Sequence, residues 1–131
     1  MKKRGILHPQ LSRVIAELGH TDTIVIADAG LPIPNGPARI DLAVVEGVPP
    51  FLTVLQAVLD DMQVEEATIA EEMAELSPEL YEQVMDMLGS VPVNQVLHQA
   101  FKLRTRDARA VIRTGEFTPY ANVILHAGVV F

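Results

Sequence analysis

The chain has 131 residues, of which 49% are hydrophobic and 5% aromatic, with no Trp and no Cys. That is one ordinary domain with enough apolar content for a single core, which argues against disorder; the lack of Cys excludes a disulfide scaffold, a thiolate metal site and Cys nucleophilic catalysis. Ten bases against seventeen acids leave a net charge of −7, which disfavours general nucleic-acid binding.

The basic start, Lys2-Lys3-Arg4, is not followed by a long apolar run, because Ser12, Arg13 and Glu17 interrupt Leu11 to Leu18. No leader is therefore expected, and no segment reaches the ~18 uninterrupted apolar residues of a membrane span. The expectation is a soluble cytoplasmic protein. Leu11, Val14, Ile15 and Leu18 fall at i, i+3, i+4 and i+7, so His8 to Leu18 reads as a short helix. Pro9 suits its first turn and Gly19 a left-handed stop. Thr23 to Ala27 (TIVIA) is a continuous β-branched run and predicts a buried strand. Three Pro and two Gly in Asp28 to Pro37 rule out regular structure there.

Arg39 to Val45 alternates like a second strand. Val48-Pro49-Pro50 then opens a helix to about Met62, with Phe51, Leu55, Val58, Leu59 and Met62 inward. Gln63 to Ala70 has strand character (Val64, Ala67, Ile69), weakened by Glu65-Glu66. Ser77-Pro78-Glu79 reads as the N-cap of a helix ending at Leu88, with Gly89 closing it. Val91 to Leu97 predicts a short strand, Gln99 to Asp107 a small helix, and Ala108 to Arg113 and Asn122 to Leu125 two more strands around the turn-rich Thr114 to Pro119. Strands alternating with helices indicate an α/β domain. Charge is unevenly spread along it: twelve acids and no Lys or Arg lie between Ile40 and Phe101, and all ten bases flank them. A solvated acidic helix face explains this, as does a pairing of the two chain ends around a less acidic surface.

Polar residues beside buried strands are candidates for chemistry, since ligands in open α/β sheets bind outside strand ends. Asp28 follows TIVIA and His20 precedes it; by spacing alone, His20 equally reads as an exposed loop residue and Asp28 as a turn-former. His98 ends the apolar run at Leu97. The stretch Arg113 to Asn122 (RTGEFTPYAN) is polar enough to face a polyol, or to be a structural loop. The four His (His8, His20, His98, His126) lack H-x-x-x-H or H-x-H spacing, so the metal signal is weak. No G-x-G-x-x-G, P-loop or G-x-S-x-G is present, and no cofactor is expected.

The opening MKKRGILHPQLSRVIAELGHTDTIVIADAGLPIP and the ending KLRTRDARAVIRTGEFTPYANVILHAGVVF closely resemble the ribose pyranase/fucose mutarotase family. The resemblance covers roughly the first 45 and last 35 residues, in long ordered strings; Pro49 to Ser90 matches mainly in pattern. It implies a single three-layer α/β/α domain over 1–131 with a mixed central sheet. It also implies an isomerase interconverting pyranose and furanose forms of D-ribose, using no metal or cofactor. The expected assembly is a decamer of two stacked pentamers with sites between subunits. Carried over residue by residue, the acid–base residue falls on His20, and sugar contacts fall on Asp28, His98, Tyr120, Ala121 and Asn122, with Lys102 a further candidate. His8 and His126 keep structural readings.

Ring opening takes a proton from the anomeric hydroxyl and gives one to the ring oxygen; reclosure through another hydroxyl reverses those roles. Imidazole, which as a residue type titrates at ~6.5, suits both. Asp28 could orient His20 or hold a sugar hydroxyl. If both residues simply flank TIVIA, about 16 Å separates them at ~3.3 Å per residue. Either the loops fold back, or the two meet a sugar from different edges with a neighbouring subunit between them, as the family's inter-subunit site implies. The rivals are a non-catalytic sugar-binding or transporter-associated regulatory protein, and a mutarotase for fucose or another monosaccharide.

Overall fold

A computed structural model describes residues 1–131. The helices are α1 (Pro9–Glu17), α2 (Phe51–Leu59), α3 (Glu71–Leu76), α4 (Pro78–Leu88) and α5 (His98–Arg104), the last running into a 3-10 turn at Thr105–Asp107. The strands are β1 (Thr23–Ala27), β2 (Ala38–Asp41), β3 (Val64–Ala70), β4 (Val93–Val96), β5 (Ala110–Arg113) and β6 (Val123–Ala127). They form one mixed sheet in the order β2-β5-β1-β6-β3-β4. Only β6 opposes the rest: it pairs antiparallel with β1 and β3, while β1–β5, β2–β5 and β3–β4 are parallel. The central strands therefore come from the two ends of the chain, which meet in the middle of the sheet.

The apolar runs in β1, β5 and β6 follow from burial on both faces. Ile24, Ile26, Ile112, Val123 and Leu125 face the layer of α1, α2 and α4, whose Leu11, Phe51, Leu55, Val58, Val84 and Leu88 complete the main core. Val25, Ala27, Val111 and Ile124 face the other way, under Phe101 of α5 with Leu31 and Ala108. The result is a three-layer α/β/α sandwich whose second helical layer is α5 and its 3-10 turn.

Several boundaries differ from expectation. β2 stops at Asp41 because its partner β5 ends at Arg113; Leu42 N–H donates one last bond to the Arg113 carbonyl at 2.9 Å. Val44 and Val45 instead enter a tight turn closed by Val44 N–H on the Val48 carbonyl (2.9 Å), with Gly47 at φ 77°. The second helix begins at Phe51, and Met62 is buried from the turn that follows it. α3 was not anticipated. Gly19 is not left-handed: its N–H is held by Asp22 Oδ2 at 2.8 Å, and Thr21 takes the positive φ (73°), with its N–H tied to the Ala127 carbonyl at 2.9 Å. The Ser77 hydroxyl does not cap α4; it donates to the Pro119 carbonyl at 2.7 Å. His8 has a structural job, its Nδ1 accepting the Leu11 N–H at 3.2 Å as the cap of α1. His126 contacts the Thr68 hydroxyl at 3.2 Å.

Candidate active site

The parallel strands all end at one edge of the sheet, and β6 begins there. A cleft of about 550 Å³ opens at that edge, lined by Asp28 to Pro32, by His98 and Lys102 of α5, and by Arg113 and the loop from Glu116 to Tyr120. This volume lies within the ~300–1,000 Å³ range of small-molecule sites.

Asp28 is locked. Its Oδ1 accepts the N–H groups of Gly30 (2.9 Å) and Leu31 (2.8 Å), the turn that Asp favours after a strand. Asn122, fully buried, grips it twice: Asn122 Oδ1 accepts the Asp28 N–H (2.9 Å) and Asn122 Nδ2 donates to Asp28 Oδ2 (3.0 Å). β1 and β6 bring these residues together across 94 positions of sequence. Ala121 is fully buried beside Asn122 and offers only its backbone.

The neighbouring Tyr120 has φ 63°, uncommon for a residue with a side chain, and is held there by Asn122 N–H on its carbonyl at 2.8 Å. Held backbone of this kind concentrates at functional sites. His98 opens α5; its N–H meets both oxygens of Glu72 (3.1 and 3.0 Å), and its ring lies between Phe101 (centroids 6.2 Å, nearly parallel) and the edge of Tyr120 (5.1 Å). Its Nδ1 is buried without a partner in the chain, a condition that costs about 1–3 kcal/mol unless a bound group satisfies it. Lys102, one turn further along α5, lines the cleft and makes no ion pair within the chain.

Two charged residues of the cleft, Arg113 and Glu116, lie outside the expected set. Arg113 Nε donates to the Ala29 carbonyl (3.0 Å) and its Nη1 to both oxygens of Asp41 (3.1 Å each), pinning the Asp28 loop against β2. Glu116 Oε1 accepts the Phe51 N–H (3.0 Å) and Oε2 the Thr118 hydroxyl (2.8 Å), while the Glu116 carbonyl accepts the Ala29 N–H (2.9 Å). Burial pushes the Glu116 carboxyl up, but the bonds from Phe51, Thr118 and Phe117 outweigh it and hold it below the usual range. Both stand in the polar stretch Arg113 to Asn122; their partners, at Asp41 and Phe51, were invisible from local spacing.

His20 is elsewhere. It sits at the opposite end of β1, half exposed, with Nε2 2.8 Å from Glu65 Oε2. Asp22, two residues on, binds the Gly19 amide, which with Arg109 draws its carboxyl below the usual range. The chain thus gathers Asp28, His98, Lys102, Tyr120 and Asn122 around one cleft and leaves His20 at the other edge of the sheet. The loops do not fold back. There are no clusters of three or more His, Asp or Glu arranged to hold a metal ion.

A model of the RbsD / FucU transport protein family matches residues 1–130. A D-ribose pyranase of Geobacillus kaustophilus is 58% identical, the alignment covering 100% of this chain and 96% of that protein. The structure of Bacillus subtilis RbsD complexed with D-ribose superposes with a TM-score of 0.97 at 47% identity over 100% of both chains. A fucose mutarotase from Streptococcus pneumoniae, in complex with L-fucose, superposes with a TM-score of 0.82 at 26% identity over 95% of each chain.

Proposed function

The chain belongs to the RbsD / FucU transport protein family, and we infer from that premise that it is an isomerase interconverting the pyranose and furanose forms of D-ribose. The observation that carries this is full-length identity of 58% to a D-ribose pyranase, joined to a TM-score of 0.97 with a ribose-bound relative. Identity to the fucose-bound relative is 26%, which favours ribose over fucose.

In this reading the cleft holds the sugar. Asp28, oriented by Asn122 and the two turn amides, presents a carboxylate to a sugar hydroxyl; His98, Lys102 and Tyr120 supply further polar contacts. An ionised carboxylate is acceptor-only, which suits a hydroxyl donor. His20 moves the proton, accepting it from the anomeric hydroxyl and delivering it to the ring oxygen as the ring C–O bond breaks. Another hydroxyl then adds to the open aldehyde, with proton transfers in the reverse sense. Positioned proton transfer typically contributes ~10²–10⁴-fold, enough for a reaction that already proceeds in water.

His20 and the cleft occupy opposite edges of one sheet, so this mechanism takes His20 from one subunit and the cleft from its neighbour. The working form proposed, from the family resemblance, is a cytoplasmic ring assembly, a decamer of two stacked pentamers. No helix is long and apolar enough to cross a membrane.

Saturation-transfer NMR of ribose tests the reading. Added protein should accelerate pyranose–furanose exchange, faster for ribose than for L-fucose. His20→Ala should remove most of the gain while leaving the oligomer mass unchanged. Ribose binding with no acceleration would make the chain a sugar-binding subunit instead.

A further inference from the structure

We propose that Glu65 is a positioning residue for His20, fixing its ring orientation and tautomer so that Nδ1 is the nitrogen presented to the sugar. This rests on the reading of His20 as the proton-transfer residue.

The contact is the first support: His20 Nε2 lies 2.8 Å from Glu65 Oε2 across 45 positions of sequence. An ionised carboxylate accepts only, so the neutral ring must carry its proton on Nε2 and leave the Nδ1 lone pair free. When the ring takes a second proton, the same carboxylate faces the new positive charge.

The second support is independent of that distance. β3 pairs with β6 at Val64↔Ala127 and again at Glu66↔His126, so Glu65 is the extra residue of a β-bulge. A bulge re-aims a side chain that regular pleating would send elsewhere. Here it lets Val64 and Ala67 both point into the main core, which strict alternation forbids for residues three apart, and frees Glu65 from either face.

The end of β6 then holds both partners in place. The Ala127 carbonyl accepts the Thr21 N–H (2.9 Å), the Ala127 N–H donates to the Asp22 carbonyl (2.8 Å), and the Gly128 N–H donates to the Gln63 carbonyl (2.9 Å). Gly128 suits the close pass: a Cβ there would press against Glu65, 3.1 Å from its Cβ and 3.4 Å from its N. Thr21, at φ 73°, is one of only two non-glycine residues with positive φ; the other is Tyr120 of the cleft. The remaining charged and titratable groups at this edge are engaged elsewhere. Asp22 pairs with Arg109, Glu66 with Asn94, and His126 with Thr68. Glu65 is the carboxylate on the His20 ring.

The test compares ribose exchange rates and half-saturation for Glu65→Ala, Glu65→Gln, His20→Ala and the double variant His20→Ala/Glu65→Ala. Glu65→Ala should lower the saturated rate about tenfold, part of what positioned proton transfer supplies, with half-saturation and oligomer mass unchanged. Glu65→Gln, which still accepts a bond from Nε2–H, should recover most of the rate. In the His20→Ala background, Glu65→Ala should have no further effect. A wild-type rate in Glu65→Ala, or an equal loss in both backgrounds, would overturn the proposal. A wild-type rate in His20→Ala would instead remove the reading beneath it. Ring ¹⁵N shifts of the unaltered protein, assigned by the signals lost in His20→Ala, give a check that needs no Glu65 variant. Neutral His20 must be protonated on Nε2, and the Nδ1–H tautomer would refute the assignment.

Discussion

Glu116 shows how one carboxylate can organise a cleft without touching the chemistry. Its Oε1 serves the Phe51 N–H at the start of α2, where Pro50 supplies no side-chain cap, and its Oε2 serves Thr118 in the loop that lines the cleft. Because the folded carboxyl is held below its ordinary value, protons bind the unfolded chain more readily. The stabilisation is therefore fully present above the ordinary carboxyl range and is lost as pH falls through the folded value. Glu116→Gln should lower stability at neutral pH by about 1–2 kcal/mol, the worth of a capping bond plus a charged contact. The urea midpoints of variant and wild type should converge on acidification; equal midpoints at neutral pH would refute this role. At this scale the sequence was half legible. The polar stretch Arg113 to Asn122 offered Glu116 either to a polyol or to a structural loop, but the amide it caps lies 65 positions away. Glu65 was less legible still. In sequence its charge only weakened a strand assignment, because a bulge shows itself through the partner strand's register and not through local pattern.

Elements with strong periodicity or continuous apolar runs were readable: β1 matched residue for residue, and α4 ended at the expected Leu88 with Gly89 at φ 59°. What failed was set by tertiary partners. α3 is six residues with a single buried side chain, Met73, too little to create a periodic signal. The apolar Val44 and Val45 looked like strand, yet β5 is too short to pair with them, and they remain exposed. Their turn instead buttresses the cleft loop through Gly115, whose N–H donates to the Pro49 carbonyl (2.9 Å) and whose carbonyl accepts the Gly47 N–H (2.7 Å). The packing leaves no room for a side chain: a Cβ on Gly115 would lie 2.5 Å from the Val48 carbonyl oxygen and 2.7 Å from that of Val45, both backbone atoms. Gly115→Ala must part the two segments, which for an overpacked site costs about 1–3 kcal/mol. Since Glu116 and Tyr120 ride on the same loop, ribose affinity should fall along with thermal stability. Unchanged melting and binding would show that the turn yields freely.

In the proposed reading one molecule holds two half-sites at opposite edges of one sheet, and this is what makes the assembly a functional question. Along β1 they are ~16 Å apart at strand rise, and no loop bridges them within the chain. Heterologous contacts, in which one surface of a subunit meets a different surface of the next, close into rings and would bring each His20 edge to a neighbour's cleft edge. If so, variants defective in different halves should repair one another. His20→Ala subunits keep an intact cleft, and Asp28→Ala subunits keep an intact His20. After the two are dissociated together and reassembled as an equal mixture, a site works when an Asp28→Ala subunit lends His20 to a His20→Ala cleft. Random ring closure produces that pairing at about a quarter of the sites, so about a quarter of wild-type exchange should return. The homogeneous variants should stay inactive after the same treatment, and mixing without subunit exchange should restore nothing. Light scattering on each sample shows whether assembly survived. Intact mixed oligomers with no recovered exchange would place both groups in the same subunit's site, against the geometry of β1.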